Sequence, residues 1–273
     1  MKIVDGVWVD GFYMGEKNLV FPKDMEHISD SAFEDFFDYG EIESITVEEG
    51  NANYKAIGNC LIEIKRKRLI LGCINSAIPN DGSVEVIGPL AFSGCNELRK
   101  IDLPDTLIEI CHGAFADTGL CEIALPRNLK YIGGLAFSGT DIESVYIPNK
   151  VIGIGGGAFC GCDNLVRIDV DPYNSNFFAA NNCLVSGNGT MIACIYGASV
   201  SEGIKRVDEL VFYRYNSCLP ITFPRSVKCI KRHSLKMPVE LEFPITVNAP
   251  QGSYAYRFAK KNGIPLKQSY LKR

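Results

Sequence analysis

IGPLAFSGCNELRKIDLP (residues 87–104) is the first of four similar stretches, followed by ICHGAFADTGLCEIALP (110–126), IGGLAFSGTDIESVYIP (132–148) and IGGGAFCGCDNLVRIDV (154–170). Their Ala-Phe pairs end at Phe92, Phe115, Phe137 and Phe159, which are 23, 22 and 22 residues apart. A fixed period in the twenties is typical of a solenoid, in which each repeat buries its apolar face only against its neighbours. A solenoid offers a long surface and not a pocket, so we expect a binding protein and not an enzyme.

Each stretch is interpreted as one coil of the solenoid. In Leu98-x-x-Ile101-x-Leu103-Pro104 the apolar residues alternate at the end, which indicates a short strand with one buried face. Pro104 has no N–H to donate to a ladder and is expected to end that strand. The chain then returns along the opposite wall to the next Ala-Phe pair. We expect the phenylalanines of successive coils to stack as a buried aromatic spine.

The position three residues after each repeat phenylalanine holds Cys95, Thr118, Thr140 or Cys162, and the two Thr copies are one residue shorter than the Cys copies. These residues resemble the BspA-like leucine-rich repeats, whose consensus runs close to IgxxAFxxCxxLxxIxLPxxLxx. The resemblance covers roughly residues 25–246. It implies an α/β-type repeat solenoid that is right-handed, with one short parallel β-sheet, β-hairpin insertions and a C-terminal capping helix.

A single leucine-rich-repeat domain is therefore predicted over residues 1–273. The helix of its cap is expected to begin after Ser253, a residue type that accepts a hydrogen bond from the first turn, and to end at Gly263. The predicted segments are an N-terminal hairpin cap (1–24), a first repeat (25–48), a hairpin insertion (49–83), four tandem repeats (84–171), a second hairpin insertion (172–203), C-terminal repeats (204–246) and a helical cap (247–273).

The two insertions resemble each other, because Asn59-Cys60-Leu61 in the first aligns with Asn182-Cys183-Leu184 in the second. The turn Ser186-Gly187-Asn188-Gly189 is a strong hairpin signal. A hairpin in each insertion places Cys60 roughly opposite Cys73, and Cys183 roughly opposite Cys194. We interpret both pairs as buried reduced thiols, with two disulfides or a metal site as the alternatives.

The composition excludes several classes of function. An apolar fraction of 47% with 22% charged residues predicts an ordered core, and a net charge of −4 gives no electrostatic reason to expect nucleic acid. No apolar stretch approaches the length of about 18 residues that spans a membrane. No HExxH, GxSxG, phosphate-binding loop or paired-CxxC zinc pattern occurs. We therefore predict no catalytic residue, no cofactor and no metal.

The predicted location follows from the first residues. MKIVDGVWVDGFYMGEK lacks the apolar run of a secretory signal, which favours the cytoplasm, or the cell surface if a signal has been trimmed away. The resemblance instead implies a bacterial cell surface and adhesion. We predict a non-enzymatic scaffold that presents a concave β-sheet face to an unidentified protein partner. The alternatives are an intracellular structural or assembly protein, and an adhesin or glycan-binding module if the chain is exported.

The candidate binding residues are those between the apolar ones on each predicted strand. The interior positions repeat and these do not, so they form the variable surface of the solenoid. Tyr146 is the expected anchor, with Arg167 beside it, because both residue types are enriched at interface hot spots. The alternative is a merely solvated sheet face. The predicted partner-binding face comprises Lys100, Asp102, Glu122, Ser144, Tyr146, Arg167 and Asp169.

Overall fold

A computed structural model describes residues 2–4, 7–10, 17–28, 42–195, 200–212, 220–231, 233–235 and 245–267. They form a β-solenoid of about nine turns, with one helix in this part of the chain. The elements are β1 Lys2–Val4, β2 Val7–Asp10, β3 Asn18–Phe21, β4 His27–Ile28, β5 Ser44–Val47, β6 Tyr54–Ile57, β7 Cys60–Glu63, β8 Arg68–Leu71, β9 Val86–Ile87, β10 Glu109–Ile110, β11 Tyr131–Ile132, β12 Ser144–Ile147, β13 Gly153–Ile154, β14 Arg167–Val170, β15 Phe177–Ala180, β16 Cys183–Ser186, β17 Thr190–Cys194, β18 Arg206–Val207, β19 Ile221–Thr222, β20 Cys229–Ile230, β21 Val247–Asn248 and α1 Tyr254–Lys261.

The parallel pairing that joins the most coils lies on the wall along which the chain returns to each Ala-Phe pair. There β9, β10, β11 and β13 pair one strand per coil, with Val86, Glu109, Tyr131 and Gly153 in register. We call this the return wall. Antiparallel strands β6, β7 and β8 complete a seven-stranded sheet at one end of it. A second sheet joins β15, β16 and β17 to β18 and β20 in the same manner.

The wall opposite, which we call the front wall, is where a single parallel sheet was predicted, and that prediction is only partly correct. Strands β12 and β14 pair there over four residues. The described residues 98–103 and 120–125 form no strand and share one backbone hydrogen bond, from Cys121 N to Arg99 O at 3.2 Å. Alternating burial requires only that every second side chain face the core. The alternation of apolar residues therefore identified the buried face correctly, but it predicted more backbone hydrogen bonds between the coils than this wall contains.

The predicted aromatic spine is confirmed. Phe92, Phe115, Phe137 and Phe159 stack in order, with ring centroids 5.1, 5.4 and 5.5 Å apart and interplanar angles of 9°, 6° and 4°. All four side chains are buried. The backbone follows the same repeat, because the first three phenylalanines donate their N–H to the alanine carbonyl of the next coil, each at 2.8 Å. Ring stacking and backbone bonding therefore join the same pairs of coils.

Glycines at the coil corners allow the backbones of successive coils to touch. A Cβ added to Gly155 would lie 2.3 Å from Gly134 N, and one added to Gly133 would lie 2.4 Å from the carbonyl carbon of Cys111. Neither glycine has a positive φ. Close approach, and not an unusual backbone angle, is what these corners require.

Each insertion contains the predicted hairpin, β7–β8 or β16–β17, preceded by a further antiparallel strand. The last strand of each insertion also pairs in parallel with the next coil, through Arg68 with Val86 and through Thr190 with Arg206. The insertions thus do not merely decorate a coil. They supply strands to the solenoid wall.

An asparagine fixes the start of each insertion, a feature that sequence reasoning missed. Asn51 and Asn174 each use both amide hydrogens and accept two backbone N–H bonds at Oδ1, so the amide is fully hydrogen-bonded. The sequence trace of this motif is Asn-x-Asn followed by Tyr or Phe. The partners are Pro22 O, Met25 O, Asn53 N and Tyr54 N for Asn51, and Pro148 O, Val151 O, Asn176 N and Phe177 N for Asn174.

The ends of the array are described in part. At the start, β1 and β2 form an antiparallel pair, while β3 pairs in parallel with β5. At the other end Ser253 is the N-cap of α1, and its Oγ accepts a bond from Tyr256 N at 3.2 Å. Ala255 and Ala259 of the helix are buried against the C-terminal coils. The predicted repeat segments 29–33 and 241–244 lie outside the described residues. The right-handed turn of the solenoid, the boundaries of the predicted segments and a capping role for α1 remain predictions.

Among the described residues, no helix is both long and apolar enough to traverse a lipid bilayer.

Replacing one ring in the middle of the stack is expected to cost much more stability than replacing an exposed phenylalanine. Phe115→Ala removes a side chain that packs on rings from both sides, and we expect a loss of about 3–5 kcal/mol in the free energy of unfolding. The matched control is Phe178→Ala, at a side chain that is 46% exposed. Denaturant unfolding of both variants measures the difference. Equal losses would contradict a structural role for the stack.

A methyl group at a coil corner is expected to push two coils apart. Gly155→Ala places Cβ against the Gly134 backbone, and we expect a loss of roughly 1–3 kcal/mol, as for other overpacked sites. Gly187→Ala is the control, because its nearest neighbour would be Asn176 O at 3.6 Å, an ordinary contact. Thermal unfolding monitored by circular dichroism compares the two. A Gly155→Ala variant as stable as Gly187→Ala would show that the corners have spare room.

Candidate functional site

The seven predicted binding residues lie on the front wall of four successive coils, and we call them the recognition strip. Six are exposed and Asp169 is half-buried, while Val145 and Ile168 between them face the core. The strip is thus positioned by the same alternation that builds the wall. At about 4.8 Å between neighbouring strands, four coils extend it over roughly 14 Å. Its members are Lys100, Asp102, Glu122, Ser144, Tyr146, Arg167 and Asp169.

Neighbouring coils bring the strip residues together in pairs. Ser144 lies opposite Arg167, and Tyr146 lies opposite Asp169, in the parallel register of β12 and β14. On the preceding coils, Lys100 Nζ lies 2.7 Å from Glu122 Oε1. Within β14, Arg167 Nε lies 2.5 Å from Asp169 Oδ2. Four of the strip's five charged side chains are therefore partnered by an opposite charge within the strip.

These ion pairs are solvent-exposed and therefore contribute little to stability. The hydrogen bond to Glu122 raises the pKa of Lys100, so the lysine stays protonated over the physiological range. Exposed pairs are typically worth about 0–1 kcal/mol, since water screens both charges. What they provide instead is a fixed pattern of charge on the surface.

A third ion pair flanks the strip and was not predicted. Arg99 reaches across an intervening coil to Asp141, with 3.0 Å between Nη1 and Oδ2. Asn164 donates to the other carboxylate oxygen of Asp141 at 3.3 Å. The three residues come from three different coils. They fix the edge of the front wall by side-chain contacts where the backbone ladder is sparse.

Tyr146 is held in place by Asp171, a residue that sequence reasoning missed. The phenol donates to Asp171 Oδ2 at 2.9 Å, and Tyr173 N donates to the other oxygen at 2.8 Å. The tyrosine side chain is nevertheless 49% exposed. The available signal was spacing, because Asp171 is two residues beyond Asp169, just past the end of β14. The bond to the carboxylate raises the pKa of Tyr146, which favours its neutral form.

Apolar surface continues beside the strip. Val166, which precedes Arg167, is 67% exposed, and Tyr173 is 85% exposed. Together with Tyr146, these side chains place exposed apolar area next to hydrogen-bonded polar groups.

In the ranges that the structure describes, no group of three or more His, Cys, Asp or Glu side chains could hold a metal ion. Burial raises the pKa of Cys60 and of Cys162 to about 12, so both remain protonated thiols at neutral pH. Thiols in that form are poor nucleophiles.

Comparison with known families supports the resemblance drawn from the repeats. Residues 72–184 match the BspA type leucine rich repeat region, in six copies. This match confirms the resemblance over that segment. A comparison with curated proteins found no significant match.

Solved structures of bacterial leucine-rich repeat proteins share the fold. A leucine-rich repeat protein from Eubacterium ventriosum is 17% identical with a TM-score of 0.57, over 87% of this chain and 63% of that one. The pneumococcal vaccine antigen PcpA is 17% identical with a TM-score of 0.52, over 93% of this chain and 56% of that one. The chain spans less than two thirds of the length of either protein. At this identity the likeness establishes the fold alone.

Neutralising Asp171 is expected to lower the pKa of Tyr146. In Asp171→Asn the amide can still accept a hydrogen bond, but no negative charge opposes the phenolate, so the phenol ionises at lower pH. Nuclear magnetic resonance of ¹³Cζ-labelled tyrosine measures the titration, and Tyr146→Phe assigns the signal. Asp102→Asn, two coils away, serves as the control. An unchanged Tyr146 midpoint in Asp171→Asn would contradict the contact.

Proposed function

We propose that this protein, which carries BspA-type leucine-rich repeats over residues 72–184, is a non-enzymatic scaffold that binds a protein partner through the recognition strip. The observation that carries the proposal is Tyr146, whose ring is half exposed while its hydroxyl is bonded to Asp171. A tyrosine held in this way presents apolar area and a hydroxyl in a fixed orientation.

Side-chain contacts that are already formed on the strip support the proposal energetically. Binding costs about 0.5–1.5 kcal/mol for each mobile side chain that becomes ordered. Tyr146 is already ordered by Asp171, and the Lys100–Glu122 pair is already formed. A partner that meets these groups therefore loses less affinity to ordering than it would against mobile side chains.

The charge pattern supports a protein partner over a polyanion. Lysine and arginine on the strip are each paired with a carboxylate within it, and Asp102 adds a further negative charge. A nucleic-acid surface instead needs unpaired basic side chains that can neutralise phosphates. Alternating opposite charges favour a partner with the complementary alternation, which gives specificity more than affinity.

The test is a pair of matched double variants of the full chain. Tyr146→Ala with Arg167→Ala removes the proposed anchors, and Tyr131→Ala with Lys130→Ala removes a tyrosine and a basic residue from the return wall, where Tyr131 is 44% exposed. Wild type and both variants are immobilised, exposed to extracts of the source cells, and compared by quantitative mass spectrometry. Binding of any candidate is then measured by isothermal titration calorimetry with the purified proteins.

We expect the front-wall variant to bind at least about tenfold more weakly, because loss of one hot-spot side chain typically costs more than 1 kcal/mol. The return-wall variant is expected to bind as wild type does. Circular dichroism confirms that both variants fold. A partner retained by the front-wall variant and lost by the return-wall variant would move the binding surface to the other side of the solenoid.

A further inference from the structure

The second insertion contains two cysteines that face each other across an antiparallel pair. Cys183 of β16 lies directly opposite Cys194 of β17 in the register of the two strands, as the sequence predicted. Their Sγ atoms are 2.8 Å apart. Opposed residues in an antiparallel ladder have Cα atoms about 4.5–5.5 Å apart, within the range of about 4.4–6.8 Å that disulfides require. Both thiols are unbridged in the structure.

The surroundings of the two sulfurs differ. Cys183 is fully buried in the apolar cluster of the C-terminal coils, alongside Val185 and Met191. Cys194 is only partly buried and packs at the margin of that cluster. Cys194 is therefore the more exposed of the two residues, and Cys183 lies in contact with it on the core side.

The first insertion shows what happens when this register is lost. Leu61 pairs with Leu71, so the residue opposite Cys60 is Gly72, and Cys73 lies one position further along. The sequence predicted Cys60 roughly opposite Cys73, and the register of β7 and β8 offsets the two cysteines by one position. Cys73 Sγ instead lies 3.7 Å from the Ser76 hydroxyl.

A packing constraint keeps the first insertion in this form. A Cβ on Gly72 would lie 1.9 Å from Cε1 of Phe92, the first ring of the aromatic stack. No side chain can occupy that position while Phe92 keeps its place. The two insertions thus share strands and cysteines, but only the second carries both sulfurs at facing positions.

We propose that Cys183 and Cys194 are an oxidisable pair that forms an intrachain disulfide by exchange with a low-molecular-weight disulfide such as oxidised glutathione. The Cys194 thiol loses its proton to solvent, and the thiolate attacks one sulfur of the small disulfide, which releases one thiol equivalent as the mixed disulfide forms. The Cys183 thiol then loses its proton and attacks the Cys194 sulfur, which releases the second equivalent. Two protein thiols are oxidised and one small disulfide is reduced to two thiols.

The bond would tie β16 to β17 within the sheet that joins the second insertion to the C-terminal coils. A cross-link restricts the unfolded chain, so the oxidised protein is expected to melt at a higher temperature. The hydrogen bond with Cys183, followed by burial, raises the pKa of Cys194, so the thiolate fraction and the rate of exchange rise with pH.

The experiment incubates the folded full chain with mixtures of reduced and oxidised glutathione, stops the exchange with acid, unfolds the chain in urea, blocks the remaining thiols and maps the peptides by mass spectrometry. We expect a mass loss of about 2 Da, equal to two hydrogens, and one linked pair of peptides containing Cys183 and Cys194. Peptides containing Cys60 and Cys73 are expected to stay fully alkylated. The melting temperature should rise on oxidation in wild type.

Two variants keep the proposal falsifiable. Cys194→Ser is expected to lose both the linked peptide and the shift in melting temperature. Cys60→Ser with Cys73→Ser is expected to keep both, and it serves as the matched control in the equivalent insertion. One result that overturns the proposal is that Cys183 and Cys194 of the folded wild type stay reduced, and are therefore alkylated, in glutathione mixtures that oxidise the urea-unfolded chain. The other is that the linked peptides contain other cysteines.

Discussion

The Ala-Phe segments of successive coils are joined twice, by stacked rings and by a backbone hydrogen bond from each phenylalanine to the next alanine. The front wall of the first two coils depends most on this contact, since residues 98–103 and 120–125 share only one backbone bond there. The stacked rings are 5.1–5.5 Å apart, close to the spacing of about 4.8 Å between neighbouring strands. The repeated core residues thereby position front-wall residues that differ from coil to coil.

The parts of the structure that the sequence predicted are those that depend on burial with a fixed period. The Ala-Phe pairs gave the coils and the stack, and alternation identified the exposed face of the strip. Ser253 gave the N-cap of α1 through the known preference of serine for that position. In each case the residue type meets a local requirement, either burial or the capping of a helix, and such a requirement can be recognised in a single sequence.

The features that were missed depend on how segments meet across coils. The front-wall ladder is sparse because burial can alternate without backbone pairing. Asp171 reaches Tyr146 from another coil. The one-residue difference between the two cysteine pairs follows from strand register and from the ring above Gly72, and neither is written in the spacing of the cysteines.

The most direct test of this account is native-state hydrogen exchange by nuclear magnetic resonance at increasing denaturant. The amides of Phe92, Phe115 and Phe137, which form the bonds between coils, should exchange among the slowest in the chain. They should also share one free energy of opening, because the stack couples the coils into one cooperative unit. Separate opening energies for the three amides, or exchange faster than that of the helix α1, would show that the coils are held together by something else.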